Sequence, residues 1–502
     1  MGQGKVWCRG VAAALAGLVA LGVPGAASAR QEPDRATVRK VVADFAHAHG
    51  YPGIAVTVTK GRRVWDVDGY GRDSAGAAIT ATTPMPVESV SKSFTALAVM
   101  QLVDSGRVTL DAPVRRYLPG FRVADPRGSR ITVRELLNHT SGITDGTLPE
   151  KSLPQPDSLA GVVVRARQAT LASAPGTRFG YTNTNYHLAA RVVELVSGEP
   201  FGEYLRRHVF GPLGMRATTS ITMTPRDIPR GMREGHIYAY GASVRAREPN
   251  RFVSGSDGVI TTARDMAQWL IMQNNGGLGA NGTRVVSAGS IAAMHRVDRR
   301  IDYGLGWEAG HHGRVRHEGI WFTYTAGEML LPDGYGIAVS GNSGMGLGNE
   351  GVAQLVDDLA TVLDGGTPDA PTPVRLIVDL VVAALTMMSL LLGVRALLRT
   401  RRWVDRSAAR PVWRALVRLL VRLARILLWL ALPDALTYAI GGGRDLTHLQ
   451  MAYYSPALVA WVLVALAMNV AVLGARGVGL WRARLPVPDA PTRDVLRHPA
   501  AL

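Results

Sequence analysis

The sequence predicts a mixed α/β (α+β) domain, an antiparallel sheet flanked by helices plus an all-helical subdomain, followed by about three transmembrane helices. Three observations lead there. Short β-rich segments lie near both ends of residues 30–370, at 52–69 and 304–340, with helical periodicity between them, so the two ends complete one sheet. Apolar runs long enough to cross a bilayer, which takes about 20 residues, follow Pro371 and Pro373. The chain of 502 residues is 47% hydrophobic with one cysteine, which allows two or three domains and excludes a disordered polymer and a disulfide scaffold.

Residues 1–29 carry Lys5 and Arg9, an apolar run over 11–23, then Pro24 and Ala27-Ser28-Ala29, the pattern of a cleavable signal peptide. That run is too short for a spanning helix, which weighs against an uncleaved anchor, and cleavage would remove Cys8, the only thiol. A helix is expected over 36–49, stopped by Gly50, and two strands over 52–60 and 62–69 turn at Gly61. Over 91–104, Phe94, Leu97, Ala98 and Leu102 recur at helical spacing. A further helix carries Leu188, Val192 and Leu195 and ends at Ser197-Gly198. Short strands are expected at 304–307, 315–320, 328–331 and 336–340, and a helix over 349–363 closes the domain.

Region 371–485 holds three candidate spans, at 376–394, 419–440 and 456–475, and 486–502 is expected to be a cytoplasmic tail. The second span is the weakest, because Arg422 and Arg425 crowd its start and Pro433-Asp434 lies inside it. Ten arginines from Arg395 to Arg425, opposed in that interval only by Asp405, place the loop between the first two spans in the cytoplasm. Residues 30–370 then lie on the extracytoplasmic side of the cell membrane. A net charge of +17 first suggests nucleic acid, yet about +11 of it belongs to 374–502, and the exported region is nearly balanced. The expected large partner is therefore the lipid bilayer, with no nucleic acid.

Ser89-Val90-Ser91-Lys92 opens the helix over 91–104, so the i,i+3 spacing puts the Ser89 hydroxyl and the Lys92 ammonium on one face of its first turn. A serine hydroxyl needs a base in hydrogen-bond reach, and a desolvated lysine with a lowered pKa can serve. The helix N-terminus adds partial positive charge where an oxyanion would form. Of the chain's five lysines, only Lys92 has a serine three places before it.

Glu88-Ser89-Val90-Ser91-Lys92-Ser93-Phe94-Thr95-Ala96-Leu97 resembles the nucleophile segment of serine β-lactamases and penicillin-binding peptidases. It is similar in particular to the β-lactamase-related branch of class C β-lactamases, D-alanyl-D-alanine carboxypeptidases, D-aminopeptidases and certain esterases. Further stretches match in order: Leu118-Pro119-Gly120-Phe121, residues 131–143, the Y-x-N element Tyr181-Thr182-Asn183, Gly211-Pro212-Leu213-Gly214-Met215 and Tyr303-Gly304-Leu305-Gly306-Trp307. His317-Glu318-Gly319 stands where the third element, K-T-G or H-x-G, belongs. The resemblance spans about 40–365. It implies a β-lactamase/DD-peptidase-like fold with Ser89 as the acylated nucleophile, Lys92 and Tyr181 sharing the proton transfers, and Asn183 orienting the substrate amide or Lys92. His317 takes the third-element place. The backbone N–H groups of Ser89 and Ile320 form the oxyanion hole, and Gly319 lets substrate approach the strand. Whether Lys92 or Tyr181 is the base stays open. No cofactor or metal is implied; the partner is a small molecule, peptide or ester, cell-wall-derived material included.

Two departures stand out. Glu318 occupies the position where relatives that bind a substrate carboxylate usually offer threonine or serine, so neutral esters or amine-bearing substrates are expected over β-lactams and peptides ending in D-alanine. Ser254-Gly255-Ser256-Asp257-Gly258 stands where relatives tend to have alanine and glycine, which predicts a different pocket rim. His139 is expected to be structural and Ser340-Gly341-Asn342 a strand end. His311, His312 and His317 lack the carboxylate–histidine pattern of a zinc site. The leading reading is an exported, membrane-anchored serine hydrolase of amide or ester bonds. The alternative is a penicillin-binding-like receptor, acylated or ligand-bound without significant turnover.

Overall fold

A computed structural model describes residues 34–349, 351–441 and 444–485. The expected signal peptide and cytoplasmic tail lie outside them. Helix α1 (Arg35–His49) starts where the Asp34 side chain accepts the Ala36 N–H, and ends at Gly50, whose φ of 64° suits a residue without a Cβ. Strands β1 (Gly53–Lys60) and β2 (Arg63–Gly71) form the expected hairpin around Gly61. Helix α2 (Ser91–Asp104) carries the Lys92 turn, α3 (Asn183–Ser197) begins at the Y-x-N element, and α4 (Ala263–Asn274) is capped by Thr262.

Strands β3 (Glu308–Ala309), β4 (Val315–Ile320), β5 (Thr325–Leu330) and β6 (Tyr335–Gly341) precede α5 (Ala353–Leu363). The main sheet has the order β3-β4-β5-β6-β1-β2 and is antiparallel throughout. Pairing of β1 with β6, from Ile54↔Gly341 to Lys60↔Tyr335, joins the two ends of the domain as expected.

Two strand expectations need correction. Residues 304–307 form no strand and bend at Leu305-Gly306, because Gly306, at φ 79°, presses on α2, where a Cβ would stand 2.9 Å from the Lys92 carbonyl oxygen; β3 starts only at Glu308. Strand β5 starts at Thr325, ahead of the expected 328; all six of its residues are buried, so no polar alternation marks its start.

Helix α2 is buried from Ser91 to Met100, so the nucleophile segment sits in the core. Phe94 stacks on Trp269 of α4 at 3.7 Å and meets Phe210 of the helical subdomain edge-on at 5.9 Å. On another face of the sheet, Phe45 of α1 and Leu355 and Leu359 of α5 pack with Val56, Ile337 and Val339 in a second cluster. The sheet is held between these layers, and the head of α2 is fixed by both its own packing and its contact with β4.

The C-terminal region comprises α6 (Val374–Leu398), α7 (Thr400–Ala408), α8 (Val412–Gly441), α9 (His448–Tyr454) and α10 (Pro456–Arg482). Among the described residues two helices, α6 and α10, are long and apolar enough to cross a membrane, not the three expected. The expected second span falls in α8, where Arg414, Arg418, Arg422 and Arg425 recur along the helix and dilute its apolar surface. There Arg422 Nη1 donates to Asn469 Oδ1 of α10 at 2.8 Å. Helix α6 is fastened to the domain by the buried Arg375, which donates to the carbonyls of His49 and Gly344 and to Ser343 Oγ.

Phe94→Ala removes a fully buried ring from the α2 core and is expected to cost about 3–5 kcal/mol. Unfolding of the full chain in detergent checks this against Val64→Ala at an exposed strand position, expected within about 0.5 kcal/mol of the parent.

Candidate active site

Ser89 lies in the short 3₁₀ turn Glu88–Val90 that feeds α2. Glu88 adopts φ 46°, a strained conformation for a residue with a side chain. The turn is clamped by β4: a Cβ on Gly319 would stand 2.5 Å from the Val87 carbonyl oxygen. Gly319 therefore serves the chain's own turn, bringing Ile320 beside Ser89 on the wall of one cavity of about 690 Å³.

Lys92 is fully buried and surrounded by acceptors. Its Nζ donates to Ser89 Oγ at 2.8 Å, Asn183 Oδ1 at 2.9 Å, the Ser256 carbonyl at 3.1 Å and Asp257 Oδ1 at 3.3 Å. Ser89 Oγ in turn donates to Asp257 Oδ1 at 2.8 Å, and Asn183 Nδ2 donates to Asp257 Oδ2 at 3.1 Å. Burial pushes the Lys92 pKa down, but Asp257 and Tyr181 outweigh it and the net shift is upward. The lowered lysine pKa expected from the sequence is thus reversed by a carboxylate that the motif does not contain. Burial alone would raise the Asp257 carboxyl; Lys92, Arg251 and the Ser89 hydroxyl hold it well below the usual carboxylate range.

Tyr181 faces this group, its ring centroid 4.9 Å from Lys92 Nζ. Burial raises its phenol pKa, while Lys92 and Arg444 pull it down without reversing the shift. His139 stacks on the ring at 4.3 Å, and its Nδ1 meets Asn185 Nδ2 at 3.2 Å, which fits the structural part expected of it. Ser340-Gly341-Asn342 ends β6, with Asn342 Oδ1 accepting the Gly53 N–H at 2.7 Å.

His317 is buried one layer behind the cavity. Its Nδ1 lies 2.8 Å from the Glu318 carbonyl and its Nε2 lies 2.8 Å from the Tyr303 hydroxyl. Donation from Nδ1–H to that carbonyl leaves Nε2 to accept from Tyr303. Burial, then Lys92, keeps the imidazole neutral. His317 thus communicates with Tyr181 through the Tyr303 ring. Glu318 does line the cavity, but Arg316 pairs with it while also holding Asp357 at 2.9 Å. The free carboxylate expected from sequence is neutralised, and its repulsion of a substrate carboxylate is correspondingly reduced.

The cavity also exposes residues that motif reading passed over. Asp257 had a visible signal, an acidic side chain in a small-residue stretch, taken there only as a change of rim. Arg444 had none: it enters from the loop between α8 and α9, where its Nε donates to Asp145 Oδ2 at 2.8 Å and its Cζ lies 4.5 Å from the Tyr181 ring centroid. Glu308, also on the wall, is pushed up to about 7 by burial against the opposing charges of Arg316 and Lys92. Among the described residues no three His, Cys, Asp or Glu side chains are grouped to hold a metal ion.

Comparison with known proteins agrees with this geometry. A family model described as Beta-lactamase matches residues 38–360. Penicillin-binding protein 4 of Amycolatopsis lactamdurans is 32% identical over 273 residues, covering 52% of this chain and 71% of that protein. Protein flp of Staphylococcus aureus is 26% identical over 316 residues, 62% of either chain. Among solved structures, the octameric penicillin-binding protein homologue from Pyrococcus abyssi superposes with a TM-score of 0.57 at 25% identity, covering 68% of this chain and 79% of that one. The D-amino acid amidase of Ochrobactrum anthropi SV3, at 21% identity and a TM-score of 0.56, shares the fold over 66% of this chain and 98% of its own. The chain therefore belongs to the β-lactamase-related family of serine hydrolases, with penicillin-binding proteins among its relatives.

Proposed function

We propose that the chain is an exported, membrane-anchored serine hydrolase that cleaves amide or ester bonds through an acyl-enzyme on Ser89. One observation carries the reading: Ser89 Oγ is hydrogen-bonded at once to an ammonium and to a carboxylate, on the wall of a cavity that Tyr181, Asn183 and Ile320 share. As Oγ attacks the substrate carbonyl, its proton passes by way of Lys92 Nζ, already bonded to it, to Tyr181 acting as phenolate. The N–H groups of Ser89 and Ile320 receive the charge developing on the carbonyl oxygen. The leaving amine or alkoxide takes a proton from the Lys92–Tyr181 pair. Water then attacks the ester, giving its proton to the same Lys92–Tyr181 pair, which returns it to Ser89 Oγ as the acid is released. Lys92 stays an ammonium, held so by Asp257, and relays protons between Ser89 and Tyr181, while Asn183 keeps it aimed at Ser89.

The exposed apolar flanks of α6 and α10, with Leu391 and Leu463 about 60% exposed, support an anchor. The signal-peptide pattern of 1–29 and the arginine-rich 395–425 segment support a catalytic domain outside and an arginine loop inside. The raised phenol pKa of Tyr181 is the feature that favours the second reading, a receptor that binds ligand or is acylated without significant turnover.

Full-length protein is to be incubated with a β-lactam, a D-alanyl peptide, a D-amino-acid amide and a short-chain ester, with Ser89 followed by mass spectrometry. Hydrolysis through a transient Ser89 adduct is expected, and Ser89→Ala should lower turnover by roughly 10³-fold or more. A lasting adduct without turnover selects the receptor, and turnover untouched by Ser89→Ala rejects the mechanism.

Asp257→Asn leaves Lys92 buried without its counter-charge and should cost about 3–5 kcal/mol near neutral pH. Because the folded carboxyl titrates below its unfolded value of about 4, its contribution is complete above that value and disappears as pH falls towards the folded one. The gap in unfolding midpoint between parent and variant is therefore expected to be full near pH 6 and to narrow below about pH 4.

A further inference from the structure

We propose that residues 444–454, which lead into and form α9, are a working wall of the active site, and that Arg444 among them is the positioning residue that holds Tyr181 for proton transfer. This rests on the serine-hydrolase reading and deepens it: the C-terminal helices complete the site as well as anchor it.

The stretch grips the hydrolase domain through a neutral group of four charges. Arg444 Nε donates to Asp145 Oδ2 at 2.8 Å, and Lys151 Nζ reaches the same oxygen at 3.3 Å. The Asp145 side chain is fully buried, so without Arg444 it would keep one cationic partner where it now has two. Next in sequence, Asp445 accepts the backbone N–H groups of Lys151 and Ser152 at 2.8 and 2.9 Å and the Ser152 hydroxyl at 2.6 Å. Lys151 Nζ closes the ring by donating to the Asp445 carbonyl at 3.0 Å. A second, separate contact lies on α9, where the Tyr453 hydroxyl donates to the Arg247 carbonyl at 2.8 Å and its ring meets Phe322 edge-on at 5.0 Å. On the same stretch, Leu446, Gln450 and Tyr454 line the same cavity as Ser89.

Such fastening alone would describe a docking contact. What makes it part of the site is the place of the guanidinium, 4.5 Å from the Tyr181 ring centroid, while the same ring lies 4.9 Å from Lys92 Nζ and stacks on His139. A cation over a phenol ring holds the ring in place and favours its ionised form. Facing Tyr181 are Lys92 of α2, Asp257, Arg444, the neutral His139 and the phenols of Tyr186 and Tyr303. Lys92 and Arg444 favour the phenolate; burial and Asp257 oppose it. Removing Arg444 takes away one of the two cations, so any step that needs Tyr181 as proton acceptor moves to higher pH.

The test uses full-length protein in detergent and a fluorophosphonate, which phosphonylates Ser89 as its Oγ–P bond forms, fluoride leaves and the serine proton passes to the site's base. The second-order rate at Ser89 is read by mass spectrometry across pH for the parent, Arg444→Ala, Arg444→Gln, which keeps a hydrogen-bond donor for Asp145, and Arg444→Lys. Arg444→Ala and Arg444→Gln are expected to slow labelling about 10- to 30-fold near neutrality and to move the ascending limb to higher pH, with Arg444→Lys returning the limb towards the parent's position. If Arg444→Ala fails to fold, Arg444→Gln against Arg444→Lys decides alone. A parent labelled at Ser89, with Arg444→Gln matching it in rate and limb, overturns the proposal while leaving the hydrolase reading intact. A limb equally displaced in Arg444→Lys and Arg444→Gln also overturns it. A parent not labelled at Ser89 removes the hydrolase reading and this inference together.

Discussion

A lysine ammonium at the fully buried head of α2 is tolerable because Asp257 faces it, and much of the site is arranged around that pair. Three protons on Lys92 Nζ meet four acceptors, one of them the nucleophile. The same carboxylate that neutralises Lys92 takes the hydrogen bond of Ser89, so the charge state of the lysine and the orientation of the serine are one constraint. Gly306 and Gly319 belong to it as well: the first lets backbone close on the first turn of α2 and the second on the 3₁₀ turn just before it, where a methyl group would collide. Burial of the Phe94 ring against Trp269 then keeps that turn from moving.

Around this pair the aromatic and imidazole groups form a second layer. Tyr303 links the third-element histidine, His317, to Tyr181 and His139 behind the cavity wall. Glu318, beside it on β4, points to the other side of the strand, towards the cavity, with its charge answered by Arg316. The alternation of β4 thus divides the His317-Glu318-Gly319 triplet among three tasks: one residue behind the wall, one on it, and one that makes room for the nucleophile turn.

What the sequence revealed follows how local each signal is. Ser89 and Lys92 are three residues apart on one helical turn, and Tyr181 and Asn183 start the helix that faces it, so their convergence was legible from spacing and resemblance. The sheet joined by both ends was legible from strands broken by Gly61 and by the turns after 320 and 331. Asp257 meets Ser89 across 168 positions, and Arg444 meets Asp145 across 299, and no local pattern encodes a contact of that kind. The second expected span falls on α8, which is long enough to cross a bilayer but whose arginines, one of them bonded to Asn469, keep it out of the two helices that are also apolar enough. Much of the chain's +17 charge lies in this C-terminal region, where α6 joins the domain through Arg375 and α9 reaches the cavity. The helices and the hydrolase domain are accordingly fastened both through α6 and through the stretch from Arg444 to Tyr453.

The central claim, that Asp257 keeps Lys92 charged beside the nucleophile, is most directly tested by lysine-selective ¹³Cε NMR of the full chain in detergent. Five lysines make the spectrum simple, and Lys92→Arg identifies the signal. The account predicts that Lys92 keeps its ammonium shift past the ordinary lysine value of about 10.4, while Lys151, pushed down by burial and Arg444, loses its proton earlier. A Lys92 signal that titrates below about 10 would contradict it.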